Sequence, residues 1–205
     1  WQPLVASTLN LKTINLGRGG YPVALALKNN PGYCLSSSFV LDDVIKNLNN
    51  ADAITIMGGT NDFGYDEERT ESDKVFNNIL IGNNSDQNNN TFKGALNTII
   101  KTIIEAKPEI KVILMSPVGG MTKKANENLS APLTNKNGYT LYDFAKATKE
   151  IAEYNGVPFI DIYSCGITIF NSSYYIEDGI HMNTTTGAKL VGSTVINALN
   201  NMVEY

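Results

Sequence analysis

The chain has 205 residues, of which 42% are hydrophobic and 18% charged, and a formal net charge of −4. That size and balance suit one α/β domain with a substantial buried core. They exclude the concentrated basic face that a nucleic-acid partner requires, and no apolar run approaches the ~20 residues needed to cross a bilayer.

In chain order, Trp1, Leu4, Val5 and Leu9 fall at helical spacing and predict an amphipathic first helix. Lys12 to Leu16 reads as a short strand, followed by the glycine-rich turn Gly17-Arg18-Gly19-Gly20. A helix from Phe39 to Leu48 comes next, with Ser36, Ser37 or Ser38 as its cap. Ala53 to Met57 is an almost unbroken apolar run, the mark of a buried parallel strand. The stretch from Asp66 to Asn90 is polar and reads as an excursion over the active-site edge. Its apolar Val75, Phe76, Ile79, Leu80 and Ile81 are expected to form a short helix or to dock.

Thr91 to Ala106 is predicted as a helix with Phe92, Leu96, Ile99, Ile100 and Ile103 on one side. Lys111 to Met115 is another buried strand. Leu141 to Asn155 is a helix ended by Gly156, and Val157 to Ile162 is the last strand. Thr184 to Met202 closes the chain as a helix. Alternating strands and helices imply a parallel sheet with helices on both faces, and no second domain is apparent. Cys34 and Cys165 are the only cysteines. They could pair, but a domain of this size needs no staple, and two free, buried thiols are expected.

In parallel sheets, sites form just beyond the carboxyl ends of the strands. Three of those ends carry unusual residues: Asn15-Leu16-Gly17-Arg18-Gly19-Gly20, then Gly58-Gly59-Thr60-Asn61-Asp62, then Asp178-Gly179-Ile180-His181-Met182-Asn183. His181 is the sole histidine. An Asp three residues earlier in a turn can accept the Nδ1 hydrogen, which fixes the tautomer and leaves Nε2 as a general base. Asp178 could equally be an Asx turn residue or a helix cap, although Asn183 or Thr184 is better placed to cap the last helix. Asn61 could close a turn or offer its amide to a developing oxyanion. The glycines could make only a tight turn, or place a bare N–H beside a reacting carbonyl. They are not a P-loop, which ends in Gly-Lys-Ser/Thr. A flavodoxin-like nucleotide site would have Arg18 as its only support.

Asn15-x-Gly17-x-Gly19-Gly20, Gly59-Thr60-Asn61-Asp62 and Asp178-x-x-His181 resemble conserved blocks II, III and V of the SGNH (GDSL-like) hydrolases, in the right order and across essentially the whole chain. The resemblance implies a three-layer α/β/α flavodoxin-like sandwich with a parallel sheet. It puts the oxyanion hole at Gly20 and Asn61, the catalytic acid at Asp178 and the base at His181. It implies no cofactor and no metal, a small-molecule or carbohydrate ester as substrate, and extracellular or cell-envelope use.

The family's first block, Gly-Asp-Ser-(Leu/Ile), which carries the nucleophile on the first strand, does not occur in the 205 residues, nor does a Gly-x-Ser-x-Gly elbow. Gly192-Ser193 falls inside the closing helix, and Ser116 and Ser164 follow other strands. Without that central strand, those at Lys12 and Ala53 lack a shared partner, at roughly 1–3 kcal/mol for each buried unpaired group. The chain opens on Trp1-Gln2-Pro3, which reads as a cut, so a single domain truncated at its N-terminus is expected. The function that follows is a serine esterase for small acyl esters, acetyl groups on carbohydrate among them. The alternative is a non-catalytic binding or structural module that has lost its nucleophile. The polar excursion from Asp66 to Asn90, with Tyr65 and Phe63, could shape a sugar-contacting rim, or be solvated surface.

Overall fold

A computed structural model describes residues 1–25, 32–64, 79–122 and 129–203. Its contacts group the chain into two compact units. One comprises Trp1–Asn15, Val118–Leu133 and Ile160–Tyr205, the other Leu16–Pro117 and Thr134–Phe159.

The second unit holds most of the sheet. Strand β1 (Ala53–Met57) runs parallel to β2 (Lys111–Met115), with Ala53 opposite Lys111 and Met57 opposite Met115. The short β3 (Phe159–Ile160) completes the order β1-β2-β3, so among the described residues β1 is an edge strand. From Val112 onward β2 is buried residue after residue, as expected of a parallel strand covered on both faces. Helix α2 (Ser38–Leu48) is capped by Ser37, whose side chain accepts the Val40 N–H. Helix α4 (Phe92–Ala106) is capped by Thr91 and buries the predicted stripe of Phe92, Leu96, Ile99, Ile100 and Ile103. Helix α5 (Leu141–Asn155) begins in a reciprocal Thr140–Asp143 capping box and ends at Gly156, whose φ of 66° a side chain would strain. Helix α4 packs on α2 and α5, and α5 packs on β2. The one-turn helix α3 (Thr60–Phe63) follows β1 directly.

The first unit pairs α1 (Gln2–Leu9) with α7 (Thr186–Val203), against which the short α6 (Ser172–Tyr175) also packs. Gly192 admits this approach: a Cβ there would lie 2.8 Å from Leu4 Cδ2.

Four expectations need correction. The predicted burial of β1 is reached only at Ile56, with Ala53 and Thr55 exposed, because among the described residues β1 has a neighbouring strand on one side alone. Lys12 to Leu16 forms no strand and is largely exposed, because a β-strand is stable only beside a hydrogen-bonding neighbour and no ladder runs along it among the described residues. The strand predicted over Val157 to Ile162 shrinks to Phe159–Ile160. The Val157 N–H is taken by Ala152 O at the end of α5, Pro158 has no N–H to give, and Asp161 starts a turn by accepting the Ser164 N–H. Cys165 is half-buried rather than buried, while Cys34 is buried; both are free thiols.

In the polar excursion, Val75 and Phe76 lie outside the described residues. Ile79 is buried and Leu80 bridges Thr91, so this end docks as extended chain. The segment from Asn83 to Asn90 is tied down, the Asn97 amide donating to the carbonyls of Asn84 and Asp86. No helix among the described residues is long and apolar enough to cross a membrane.

Candidate active site

The glycine-rich turn closes with the Tyr21 N–H on the Arg18 carbonyl at 3.3 Å. Gly20 sits at its third position with φ 78°, the left-handed conformation such a turn requires. A Cβ on Gly20 would meet the Tyr33 hydroxyl at 3.0 Å, and the Tyr33 ring lies 4.2 Å from that of Tyr21. Arg18 is ion-paired with Asp43 at 2.5 Å, so the one cation of the turn is engaged rather than presented to a phosphate.

Beyond β1, Gly59 turns the chain into α3 with φ 112°, and its α-carbon is walled in by Phe92, Pro117 and Phe144 at 3.4–3.5 Å from where a Cβ would be. The half-buried Asn61 donates one amide hydrogen to the Tyr21 carbonyl at 3.0 Å. A side-chain amide has a second donor to give. Asp62 is fully buried and accepts from the Val23 N–H at 2.8 Å and the Ala24 N–H at 2.9 Å. Burial pushes its carboxyl up to about 7, against the downward pull of the N–H groups of Ala24 and Val23. The far end of α3 is fixed as well. Asn135 donates to the Phe63 carbonyl at 3.1 Å, and Phe63 is 1% exposed, its ring edge-on to Phe144. Phe63 is therefore core and not part of a sugar-contacting rim; Tyr65 lies outside the described residues.

In the other unit, Asp178 and His181 occupy a turn between Ile176 and Met182, which form an antiparallel bridge. The Glu177 N–H meets the His181 carbonyl at 2.8 Å, and the Thr122 N–H meets the Gly179 carbonyl at 2.8 Å. Gly179 supplies the left-handed step with φ 89°. Asp178 makes two sets of contacts. Its Oδ1 accepts the N–H groups of Ile180 at 3.0 Å and His181 at 2.8 Å, forming the Asx turn. Its Oδ2 lies 2.7 Å from His181 Nδ1.

Partial burial raises the Asp178 carboxyl, but the backbone N–H and ring of His181 and the Ile180 N–H outweigh it and hold the group at about 2. A carboxylate that stays ionised can only accept, so Nδ1 carries the proton and Nε2 is the basic nitrogen of neutral His181. Asn183, as anticipated, caps the last helix, its Oδ1 accepting the Gly187 N–H at 3.0 Å.

Each predicted site residue thus sits in a defined local setting: Gly20 and Asn61 on neighbouring segments of one unit, Asp178 and His181 in contact in the other. Asp62 closes the motif Gly59-Thr60-Asn61-Asp62, and the pattern alone assigns it no role. The signal was an acidic residue directly behind Asn61 at the end of a buried strand, where a carboxylate must find donors. Asn135 carried no such signal, because its partner is a backbone carbonyl distant in sequence.

The sequence model of the GDSL-like lipase/acylhydrolase family matches residues 1–187. No curated protein sequence matches. Several solved structures share the fold. A Lactobacillus plantarum protein is 22% identical with a TM-score of 0.73, over 96% of this chain and 85% of its own. A possible lipase from Chitinophaga pinensis is 19% identical with a TM-score of 0.66, over 98% of this chain and 88% of its own. Est24, a carbohydrate acetylesterase from Sinorhizobium meliloti, is 16% identical with a TM-score of 0.60, over 98% of this chain and 85% of its own.

Proposed function

The chain belongs to the GDSL-like lipase/acylhydrolase family, carboxylic ester hydrolases, and from that premise we propose that it hydrolyses small acyl esters by a Ser-His-Asp mechanism, acetyl groups on carbohydrate being the favoured substrates. The observation that carries this reading is the 2.7 Å contact between Asp178 Oδ2 and His181 Nδ1. It presets the tautomer in which Nε2 can take a proton from a nucleophile.

In this proposal His181 removes the hydroxyl proton of a serine as that oxygen attacks the ester carbonyl, and Asp178 steadies the imidazolium. The Gly20 N–H and the second amide hydrogen of Asn61 receive the oxyanion. The imidazolium returns its proton to the departing alcohol, and His181 then activates the water that releases the acyl group. The nucleophile is assigned to a Gly-Asp-Ser segment preceding Trp1, since no such motif occurs in the 205 residues. The edge position of β1 supports that assignment, because a strand beside it would carry the serine. The carbohydrate acetylesterase among the structural neighbours supports the choice of substrate.

The test is p-nitrophenyl acetate turnover by the protein carrying that segment, compared with its His181→Ala variant. Turnover that disappears in the variant is the expected result. An unsubstituted protein that hydrolyses neither this ester nor acetylated sugars is a non-catalytic module, and the proposal fails.

A further inference from the structure

Asp62 poses a problem that the chemistry above does not solve. A fully buried carboxylate is costly unless it is paired or fully hydrogen-bonded, and among the described residues no cation pairs with it. Its partners are backbone donors, and the ones beyond its own turn lie far off in sequence. Its bonds to Val23 span 39 residues and its bond to Ala24 spans 38. The preceding residue reaches the same segment, Asn61 donating to Tyr21 O across 40 residues. Two adjacent side chains of α3 therefore grip Tyr21 to Ala24, immediately behind Gly20. An ordinary helix cap would bond within its own first turn. This carboxylate bonds instead to the strand of chain that carries the other oxyanion donor.

We propose that Asp62 is a positioning residue of the esterase reaction, holding the segment that bears Gly20 in register with the turn that bears Asn61 so that both oxyanion donors stay aimed together. This rests on the roles given to Gly20 and Asn61 above. The chemistry selects a carboxylate over an amide: convergent N–H groups need acceptors on both oxygens, and an asparagine would turn an NH₂ group against one of them. Small errors of aim are expensive in such sites, a displacement near 1 Å costing on the order of 10²-fold in rate.

The experiment compares Asp62→Asn, Asn61→Ala and the double variant in the protein carrying its nucleophile, with p-nitrophenyl acetate. Asp62→Asn should lower kcat ~10²-fold with KM nearly unchanged. The double variant should lose clearly less than the product of the two single losses, because the two act through one device. Losses that multiply overturn the proposal. A second readout needs no turnover: in ¹⁵N–¹H NMR spectra, Asp62→Asn should broaden or double the Gly20 N–H and the Asn61 side-chain amide while the His181 N–H stays in place. If both Gly20 and Asn61 are undisturbed, Asp62 does not position them. If the unsubstituted protein shows no hydrolysis, the functional reading fails and the spectra alone decide the role of Asp62. If Asp62→Asn and Asp62→Ala are both unfolded, Asp62 holds the fold generally and the proposal is overturned.

Discussion

Asp178 and His181 are joined twice, once through the main chain and once through the ring: Oδ1 accepts the His181 N–H at 2.8 Å while Oδ2 meets Nδ1 at 2.7 Å. One carboxylate thereby shapes the turn and sets the tautomer of the residue that the turn presents. The two functions separate in Asp178→Asn. The amide oxygen can still accept the N–H groups of Ile180 and His181, but an NH₂ group then faces Nδ1. Thermal unfolding should change little, while kcat for ester hydrolysis should fall on the order of 10⁴-fold. Comparable losses of stability and of activity would mean that the turn, and not the tautomer, is what matters.

The Asp178 carboxyl is depressed to about 2 from its ordinary 3.8. A depressed acid contributes its stabilisation fully above its unfolded value and loses it as pH falls through the folded one. The paired state should therefore persist to pH 3.8 and dissolve towards pH 2. The carboxyl carbon of Asp178, followed by ¹³C NMR, should titrate near 2, and in His181→Ala its midpoint should rise. A midpoint at the ordinary value in the unsubstituted protein would contradict the contact.

Asn61→Ala removes the amide assigned to the oxyanion together with its bond to Tyr21 O. The expected loss is about 10²–10³ in kcat, with KM little altered, in steady-state assays with p-nitrophenyl acetate. A change confined to KM would assign Asn61 to ground-state binding.

Phe144 has no exposed surface and stands edge-on to Phe92, with ring centres 5.1 Å apart, and to Phe63 and Tyr139. Phe144→Ala should cost about 3–5 kcal/mol in urea unfolding. Thr140→Ala, which opens the capping box at the start of the same helix, should cost about 1 kcal/mol. The difference separates core packing from local capping.

What was legible in the sequence is what local rules decide. Helix α5 occupies its predicted residues and ends at Gly156, because a left-handed glycine acts within one turn. β1 and β2 announce themselves by unbroken apolar runs and occupy their predicted residues. Lys12 to Leu16 has a similar pattern and forms no strand, since pairing is a property of two segments and only one is visible in a pattern. The dyad was legible because a three-residue spacing suffices to bring Asp178 onto His181. The grip of Asp62 on Val23 and Ala24 was not, because the contact spans nearly forty residues and involves main-chain donors that have no residue type to read.

The packing of α1 against α7 also constrains the order of events in synthesis. The two helices that complete the dyad-bearing unit stand at opposite ends of the described chain, so the earlier one leaves the ribosome long before its mate exists. An eight-residue helix is marginal by itself, and closing so long a loop carries an entropic cost met only by late contacts. The unit that holds Asp178 and His181 is thus expected to form only once α7 has emerged, after the sheet-bearing unit, whose last residue is Phe159.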